Sequence, residues 1–403
     1  MTRLLLVEEN LKSRRGHQFE FATCLAQAAK HACCELSVAA HINADEWVRR
    51  EGIHPVLTHG RLSRVNPGFL GISRKLDFLT NNYFCYRDLL CLLRKSGPCD
   101  AVFFPTASHY HLFCIWLLLV LHPKLVKKAV VFFVQQCTCW PESEEQPVPE
   151  KIAGILRMQL LLLAPMVRSG RVVIATETSV ARDEYEKLSG LPVQLWGHPI
   201  EASPSGAKPR PKGTTFSSFG FARHEKGSDI LINAVDLCLQ DPRFDKTRFV
   251  LQWGADFDMG NGSRQTVPPR LLSSKRVKII NDPLDHEAYT RMLAESSAVL
   301  LPYRKTSYYG RLSRVSIEAA ATGIPLIVSP GTHAAQVAEH QGAGLIMEDL
   351  TSAALVDAMA QFLVDESTLS SRAGERAELA RKQNSSANFL AQMLRSLDLV
   401  HSS

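Results

Sequence analysis

Residues 215–239 decide the fold of this 403-residue chain. They read TFSSFGFARHEKG from Thr215 to Gly227, followed by SDILINAVDLCL. The first part opens as a buried strand over 215–221, and apolar residues then recur at helical spacing over 228–239. A glycine turn that joins a buried strand to a helix is the opening unit of a doubly wound α/β domain.

The same alternation of strand and helix continues on both sides of this unit. Downstream, we predict strands at 249–253, 277–280, 298–301, 326–328 and 344–346, and helices at 286–295, 314–321, 353–363 and 369–397. Upstream, we predict strands at 4–7, 35–40, 101–105, 129–134, 171–175 and 193–196, and helices at 19–29, 112–121 and 178–188. The pattern therefore predicts two α/β halves.

A proline-rich stretch separates the two halves. Residues 201–213 hold three prolines and two glycines, which neither a helix nor a central strand accommodates. We predict a first Rossmann-like domain over 1–200, a linker over 201–213 and a second Rossmann-like domain over 214–375. The last helix, 376–403, is expected to cross back to the first domain. A cleft between two such domains is a natural ligand site.

Composition excludes several classes of protein. Hydrophobic residues make up 45% and charged residues 21%, which is typical of globular proteins and not of disordered or fibrous ones. The net charge of +6 is too small to indicate nucleic-acid binding. Nine of the ten cysteines precede residue 140 without zinc-site spacing, and the N-terminus does not resemble a signal peptide. We therefore expect free thiols in a reducing, cytoplasmic compartment.

Positive charge is concentrated in one region. Residues 47–100 carry nine Lys and Arg against four Asp and Glu, which accounts for most of the net charge. This surplus is either a solvated face or a surface for acidic lipid or a phosphate-bearing substrate. The apolar run 112–121 is too short to span a bilayer.

The turn after the strand at 215–221 has the composition of an anion site. Gly220 allows a tight turn, and Arg223 and Lys226 are spaced to reach one anion. The helix that follows contributes the positive end of its dipole. The alternative is a basic turn that only caps the α/β unit.

A second loop, residues 308–313, also leads into a helix. It reads YYGRLS, and Glu318 follows inside an otherwise apolar helix. A buried carboxylate requires partners, and a pair of ribose hydroxyls would supply them. The alternative is a glutamate that faces solvent.

These two motifs, about 90 residues apart, together resemble the retaining glycosyltransferases of family 4. That family has a Gly…Arg…Lys-Gly segment and then a Glu-Ala-x-Ala-x-Gly-x-Pro segment, as at residues 318–325 here. The resemblance extends to residues 175–178, 184–185, 198–200 and 301–303. It implies the GT-B fold, in which two Rossmann-like domains face a central cleft.

The resemblance also implies roles for individual residues. Arg223 and Lys226 would bind the donor diphosphate and stabilise its leaving charge. Glu318 matches the second Glu of the family's E-x7-E motif, which holds the donor ribose, but Gly310 stands where the first Glu would be. The remaining donor-binding candidates are Gly16, Gly220, Tyr309, Gly310, Arg311, Leu312 and Ser313.

Two further candidates for the reacting centre lie in the first half. The family often has a His after the strand that reads VVFF, and here Gln135 follows that strand. A glutamine donates and accepts hydrogen bonds but does not titrate. His109 and His111 follow the preceding strand, and His109 is either a catalytic group or an ordinary loop histidine.

The leading hypothesis is a metal-independent, retaining glycosyltransferase with no resident cofactor. Its donor would be a nucleotide diphosphate sugar of the UDP or GDP type. Its acceptor would be a glycan or lipid-linked saccharide in polysaccharide or glycoconjugate synthesis, reached through peripheral contact with the inner face of a membrane. The alternatives are a nucleotide-sugar epimerase of the same fold and a catalytically degenerate nucleotide-binding protein.

Overall fold

The computed structural model describes residues 1–13, 17–50, 53–59, 77–141, 143–200, 213–259 and 262–399. The chain forms two compact units. The first contains Met1–Cys139, Pro147–Glu201 and Ser385–Ser403, and the second contains Trp140–Gln146 and Ala202–Asn384. The predicted linker lies outside the described residues except for Gly213.

The first unit is built around a seven-stranded parallel sheet. Its elements in chain order are β1 (Thr2–Glu8), α1 (His17–His31), β2 (Cys34–His41), α2 (Glu46–Arg50), β3 (Ile53–Leu57), α3 (Asp77–Ser96), β4 (Cys99–Phe104), α4 (Leu112–Leu121), β5 (Val126–Phe133), β6 (Thr138–Cys139), β7 (Val148–Pro149), α5 (Ala153–Arg168), β8 (Val172–Thr176), α6 (Ser179–Ser189) and β9 (Gln194–Leu195). The sheet order is β3-β2-β1-β4-β5-β8-β9, and β6 and β7 form a separate antiparallel pair.

Helices cover both faces of this sheet. One face packs against α3, α4, α5 and α6, and the other packs against α1 and the last helix of the chain. The central strands are buried along nearly their whole length, which explains their continuous apolar sequence. Because all the strands are parallel, their carboxyl ends lie along one edge.

The second unit has a six-stranded parallel sheet of order β14-β11-β10-β15-β16-β17. Its elements are β10 (Thr215–Ser218), α7 (Ser228–Cys238), β11 (Arg248–Gln252), β12 (Phe257–Asp258), β13 (Arg264–Gln265), α8 (Pro269–Ser273), β14 (Val277–Ile280), α9 (His286–Ala294), β15 (Ala298–Leu301), α10 (Lys305–Tyr308), α11 (Arg314–Thr322), β16 (Leu326–Val328), α12 (His333–Gln341), β17 (Gly344–Ile346) and α13 (Ser352–Gln383). A final helix, α14 (Ser386–Ser396), belongs to the first unit and packs on α1.

The C-terminal helices differ from the prediction. The predicted helices over 353–363 and 369–397 are one continuous α13 and a separate α14. The break falls at Asn384 and Ser385, and the Ser385 hydroxyl caps α14 by accepting a hydrogen bond from the Asn388 N–H at 3.1 Å. The tail that groups with the first unit therefore begins at Ser385 rather than at residue 376.

Two other features bear on the sequence analysis. All ten cysteines lie among the described residues, and all are free thiols. None of the helices described is both long enough and apolar enough to cross a membrane.

Candidate active site

The turn predicted to bind an anion lies at the carboxyl end of β10. Gly220 has a φ of +83°, and its N–H donates a hydrogen bond to the Gln252 side chain at 2.7 Å. A short 3₁₀ turn, His224–Lys226, then leads into α7. A Cβ at position 220 would lie 2.3 Å from the Lys226 Nζ, so the ammonium group occupies the space that only glycine leaves open.

Three cations gather around this turn, and we call Arg223, Lys226 and Arg311 the cationic cluster. The Glu225 carboxylate lies 3.4 Å from Arg223 Nη1 and 4.0 Å from Arg311 Nη1. Burial first, and then the neighbouring Arg223, lower the pKa of Lys226 to about 8. The cluster thus carries more positive charge than Glu225 neutralises, as a diphosphate site requires.

The second predicted loop brings Arg311 to this cluster. Tyr308, Tyr309 and Gly310 are buried, and the Arg311 guanidinium lies 5.2 Å from the centre of the Tyr308 ring. Ser313 caps α11 by accepting a hydrogen bond from Ser316 N–H at 3.3 Å. Ser313 therefore has a structural task of its own, and Leu312 beside it is partly buried.

Glu318 is largely buried, so it does not simply face solvent. Its side chain is 13% exposed. Its Oε1 accepts a hydrogen bond from Arg314 Nε at 2.7 Å, and its Oε2 accepts one from the Tyr289 hydroxyl at 2.5 Å. The partners that a buried carboxylate requires come from this chain, and a ribose would share these oxygens with Arg314 and Tyr289.

An ion pair that the sequence analysis missed joins the segment after β15 to the first turn of α7. Arg304 donates to both carboxylate oxygens of Asp229, at 2.9 and 2.8 Å, and both side chains are mostly buried. Arg304 also donates to the carbonyl oxygens of His224 and, through its N–H at 3.0 Å, of Glu225. Burial opposes ionisation of Asp229, but Arg304 holds its pKa below the usual value. Arg304 thus fixes the backbone that carries Arg223 and Lys226.

The candidates in the first unit lie at the carboxyl ends of β4 and β5. His109 and Gln135 line one small cavity of about 30 Å³, together with Glu150 and Tyr185. His109 is 9% exposed, and its carbonyl oxygen accepts hydrogen bonds from two buried amide side chains. The structure therefore brings His109 and Gln135 together, while Gly16 lies outside the described residues.

Two buried acids at the end of β1 were not predicted. The Glu8 carboxylate accepts hydrogen bonds from the Asn10 N–H at 3.0 Å and the Thr106 hydroxyl at 3.1 Å. Burial raises the pKa of Glu8 to about 7. Glu9 lies 3.0 Å from His111 Nε2, and the His111 Nδ1 accepts a hydrogen bond from a backbone N–H. The feature of the sequence that could have indicated this site is the pair of acids, Glu8 and Glu9, that directly follows the apolar run at 4–7.

Comparison with known protein families finds a match within the second half of the chain. Residues 213–365 match the model of the family described as glycosyl transferases group 1. No curated protein sequence is significantly similar to the chain.

Solved structures are similar over the whole length. Sucrose-phosphate synthase from Thermosynechococcus elongatus aligns with a TM-score of 0.63 at 17% identity, covering 99% of each chain. HepE from Anabaena, in complex with UDP and glucose, has a TM-score of 0.64 at 14% identity, covering 99% of this chain and 100% of that one. WaaG, a glycosyltransferase involved in lipopolysaccharide biosynthesis, has a TM-score of 0.57 at 13% identity, with 99% and 100% covered. These likenesses confirm the predicted GT-B fold.

Proposed function

We propose, on the premise that residues 213–365 form a group 1 glycosyl transferase domain, that the protein transfers a sugar from a nucleotide diphosphate sugar to an acceptor hydroxyl. The observation that carries this proposal is the cationic cluster at the carboxyl end of β10. A preorganised set of cations stabilises charge that develops on a leaving diphosphate. Arg223 and Lys226 are the residues we assign to that task, with Arg311 beside them.

We propose further that the transfer proceeds with retention at the anomeric carbon and without a metal. The cationic cluster supports metal independence because Arg and Lys can supply the charge that a divalent ion would otherwise provide. The donor is proposed to be of the UDP or GDP type, and the UDP and glucose bound in HepE from Anabaena support UDP. His109 and Gln135 remain candidates for contact with the reacting centre.

The acceptor is proposed to be a glycan or lipid-linked saccharide, in polysaccharide or glycoconjugate synthesis at the cytoplasmic face of a membrane. The role named for WaaG in lipopolysaccharide biosynthesis supports this class of acceptor. Buried polar groups at the sheet edge of the first unit, Glu9 and His111 among them, are of the kind that recognise hydroxyls.

The test is a panel of UDP and GDP sugars, assayed for release of the nucleoside diphosphate with and without EDTA. We expect one donor to be consumed, EDTA to have no effect, and Arg223→Ala and Lys226→Ala each to lower kcat by about 10²-fold or more. NMR of the product would show whether the anomeric configuration is retained. Turnover that is insensitive to both substitutions would overturn the site assignment.

A catalytically degenerate nucleotide-binding protein is the second candidate. It is favoured by Gly310, which stands in place of an acid, and by the Arg314 and Tyr289 hydrogen bonds that already engage Glu318. Thermal shift with UDP and GDP, taken together with the donor assay, separates the two, because a bound ligand raises the melting temperature whether or not a donor is consumed. Binding without consumption of any donor would favour the degenerate protein.

A further inference from the structure

The outer faces of α4 and α5 expose large apolar side chains. On α4, Val120 is 43% and Leu121 is 55% exposed. On α5, Met158 is 47%, Leu161 49% and Leu162 37% exposed. We call these five residues the apolar face. The two helices contact each other on the same side of the seven-stranded sheet, and both expose these apolar side chains to solvent.

The charged residues within α4 and α5 are all basic. Neither α4 nor α5 contains an acidic residue. Exposed cations flank the face: Arg157 and Arg168 on α5, and Lys124 three residues after the end of α4. Among the described residues none of the three has an acidic partner, whereas α6, the next helix on this side of the sheet, exposes both Asp183 and Lys187. The exposed apolar side chains of α4 and α5 are therefore accompanied by basic residues alone within these two helices.

The helix on the other side of α4 continues the basic character. α3 contacts α4 through Phe78 and Phe113, whose ring centres lie 6.4 Å apart. A surface depression of about 390 Å³ runs along α3, and its lining holds three cations and no acid. The lining residues are Tyr83, Tyr86, Arg87, Leu90, Cys91, Arg94 and Lys95.

We propose that the apolar face, with its flanking cations, docks on the surface of a bilayer that contains anionic lipid. Apolar side chains on a helix that lies in the interface are buried at the headgroup boundary, while Lys and Arg beside them attract anionic headgroups. A symmetric dimer fits the surface less well, because an isologous contact would place the unpaired cations of two copies against each other. The inference rests on the proposed function only in that a lipid-linked acceptor would be found at such a surface.

The test is co-sedimentation of the full chain with vesicles of phosphatidylcholine alone and of phosphatidylcholine mixed with phosphatidylglycerol, without any donor. We expect binding to the mixed vesicles only, weakening as salt is added because counterions screen the cations. Leu161→Glu with Leu162→Glu should weaken binding about tenfold or more, since two apolar anchors become anions. Arg157→Gln with Arg168→Gln should abolish the preference for anionic vesicles.

The matched control is Val364→Glu with Leu379→Glu, which changes two exposed apolar residues of α13 and should leave vesicle binding unchanged. A thermal unfolding midpoint close to that of the wild type would verify that each variant is folded. Two results would overturn the proposal: wild-type protein that ignores anionic vesicles at low salt, or a concentration-dependent dimer that the Leu161/Leu162 variant disrupts. If no donor is consumed while vesicle binding behaves as expected, the proposed function fails and the docking surface stands.

Discussion

The carboxyl edges of the two parallel sheets differ in charge and in solvent exposure. In the second unit, the end of β10 carries the cationic cluster, in which the Arg223 side chain is 54% exposed. In the first unit, the ends of β1 and β4 carry Glu8, Glu9 and His111, all of them buried. The same strand–helix topology thus supports an open cationic edge and a closed edge of hydrogen-bonded acids and histidine.

The difference follows from what each edge can stabilise. Exposed guanidinium groups keep their hydration until an anion arrives, so an open edge can hold several of them close together. A buried edge penalises charge, and burial accordingly raises the pKa of Glu8 to about 7. The open edge of the second unit is suited to phosphate, and the closed edge of the first unit is suited to neutral polar groups such as hydroxyls. The predictions below test this contrast.

The largest effect is expected from Arg304→Met. Removing one partner of a buried ion pair leaves Asp229 uncompensated, which typically costs about 3–5 kcal/mol of unfolding free energy. The double variant with Asp229→Asn should recover part of that loss, and urea unfolding measures both. If the double variant folds but still binds UDP weakly, Arg304 fixes the backbone of the turn that carries Arg223 and Lys226. Unimpaired UDP binding by the double variant would show that the turn does not depend on Arg304.

Glu8→Gln should change how stability depends on pH. Glu8 keeps its proton up to about pH 7 in the folded protein but loses it near the usual value of 4.5 when unfolded, so wild-type stability falls as pH rises through that interval. The variant should lack this fall and be more stable at pH 8 by up to about 3 kcal/mol. Urea unfolding across pH measures it, with exposed Glu145→Gln as control. If the unfolding free energies of Glu8→Gln and the wild type depend on pH in the same way, Glu8 is not held protonated at a closed edge.

Gly220→Ala should weaken UDP binding about tenfold or more, because the new Cβ would displace the Lys226 ammonium. Gly262→Ala is a matched control, since Gly262 has the same φ of +83° but no neighbour within 4 Å of its Cβ position. Both variants should lose similar stability from backbone strain. Calorimetric titration with UDP separates them, and equal affinities for the two variants would exclude a role for Lys226 in the site.

The smallest effect is in the pH dependence of UDP binding. Lys226 loses its proton near pH 8, so affinity should be level around pH 7 and then fall by up to about tenfold per pH unit above 8. Lys226→Arg keeps its charge, so its UDP affinity should not change with pH, although this affinity should be lower because the guanidinium differs in shape from the ammonium. If the UDP affinity of the wild type shows no inflection near pH 8, the Lys226 ammonium does not contribute to UDP binding.

The sequence predicted the second unit closely because its strands are buried runs bounded by turn residues. Four of them, 277–280, 298–301, 326–328 and 344–346, have the predicted bounds. The sequence also predicted that Arg223 and Lys226 reach one anion, and the structure places both of them beside Arg311. Local patterns sufficed because each motif includes its own strand, turn and helix.

The parts that were missed depend on contacts between residues distant in sequence. Asp229 and Arg304 are 75 residues apart, and nothing in either local stretch indicates the other. The partners of Glu318 could not be predicted because Tyr289 lies on another helix. α3 and α5 were not predicted. In α5 the apolar run 160–163 includes buried Leu160 and Leu163 and the more exposed Leu161 and Leu162, so the run does not mark one face of a helix.

Gly227, which ends the 3₁₀ turn and precedes α7, sets a limit on engineering of the donor site. A Cβ at this position would lie 1.9 Å from the carbonyl oxygen of Pro302, backbone against backbone. The turn that carries Lys226 and the strand end that leads to Arg311 are therefore separated by no side chain. If either loop is replaced by the loop of a relative, the other has to be replaced by the loop of the same relative, so the two have to be engineered together.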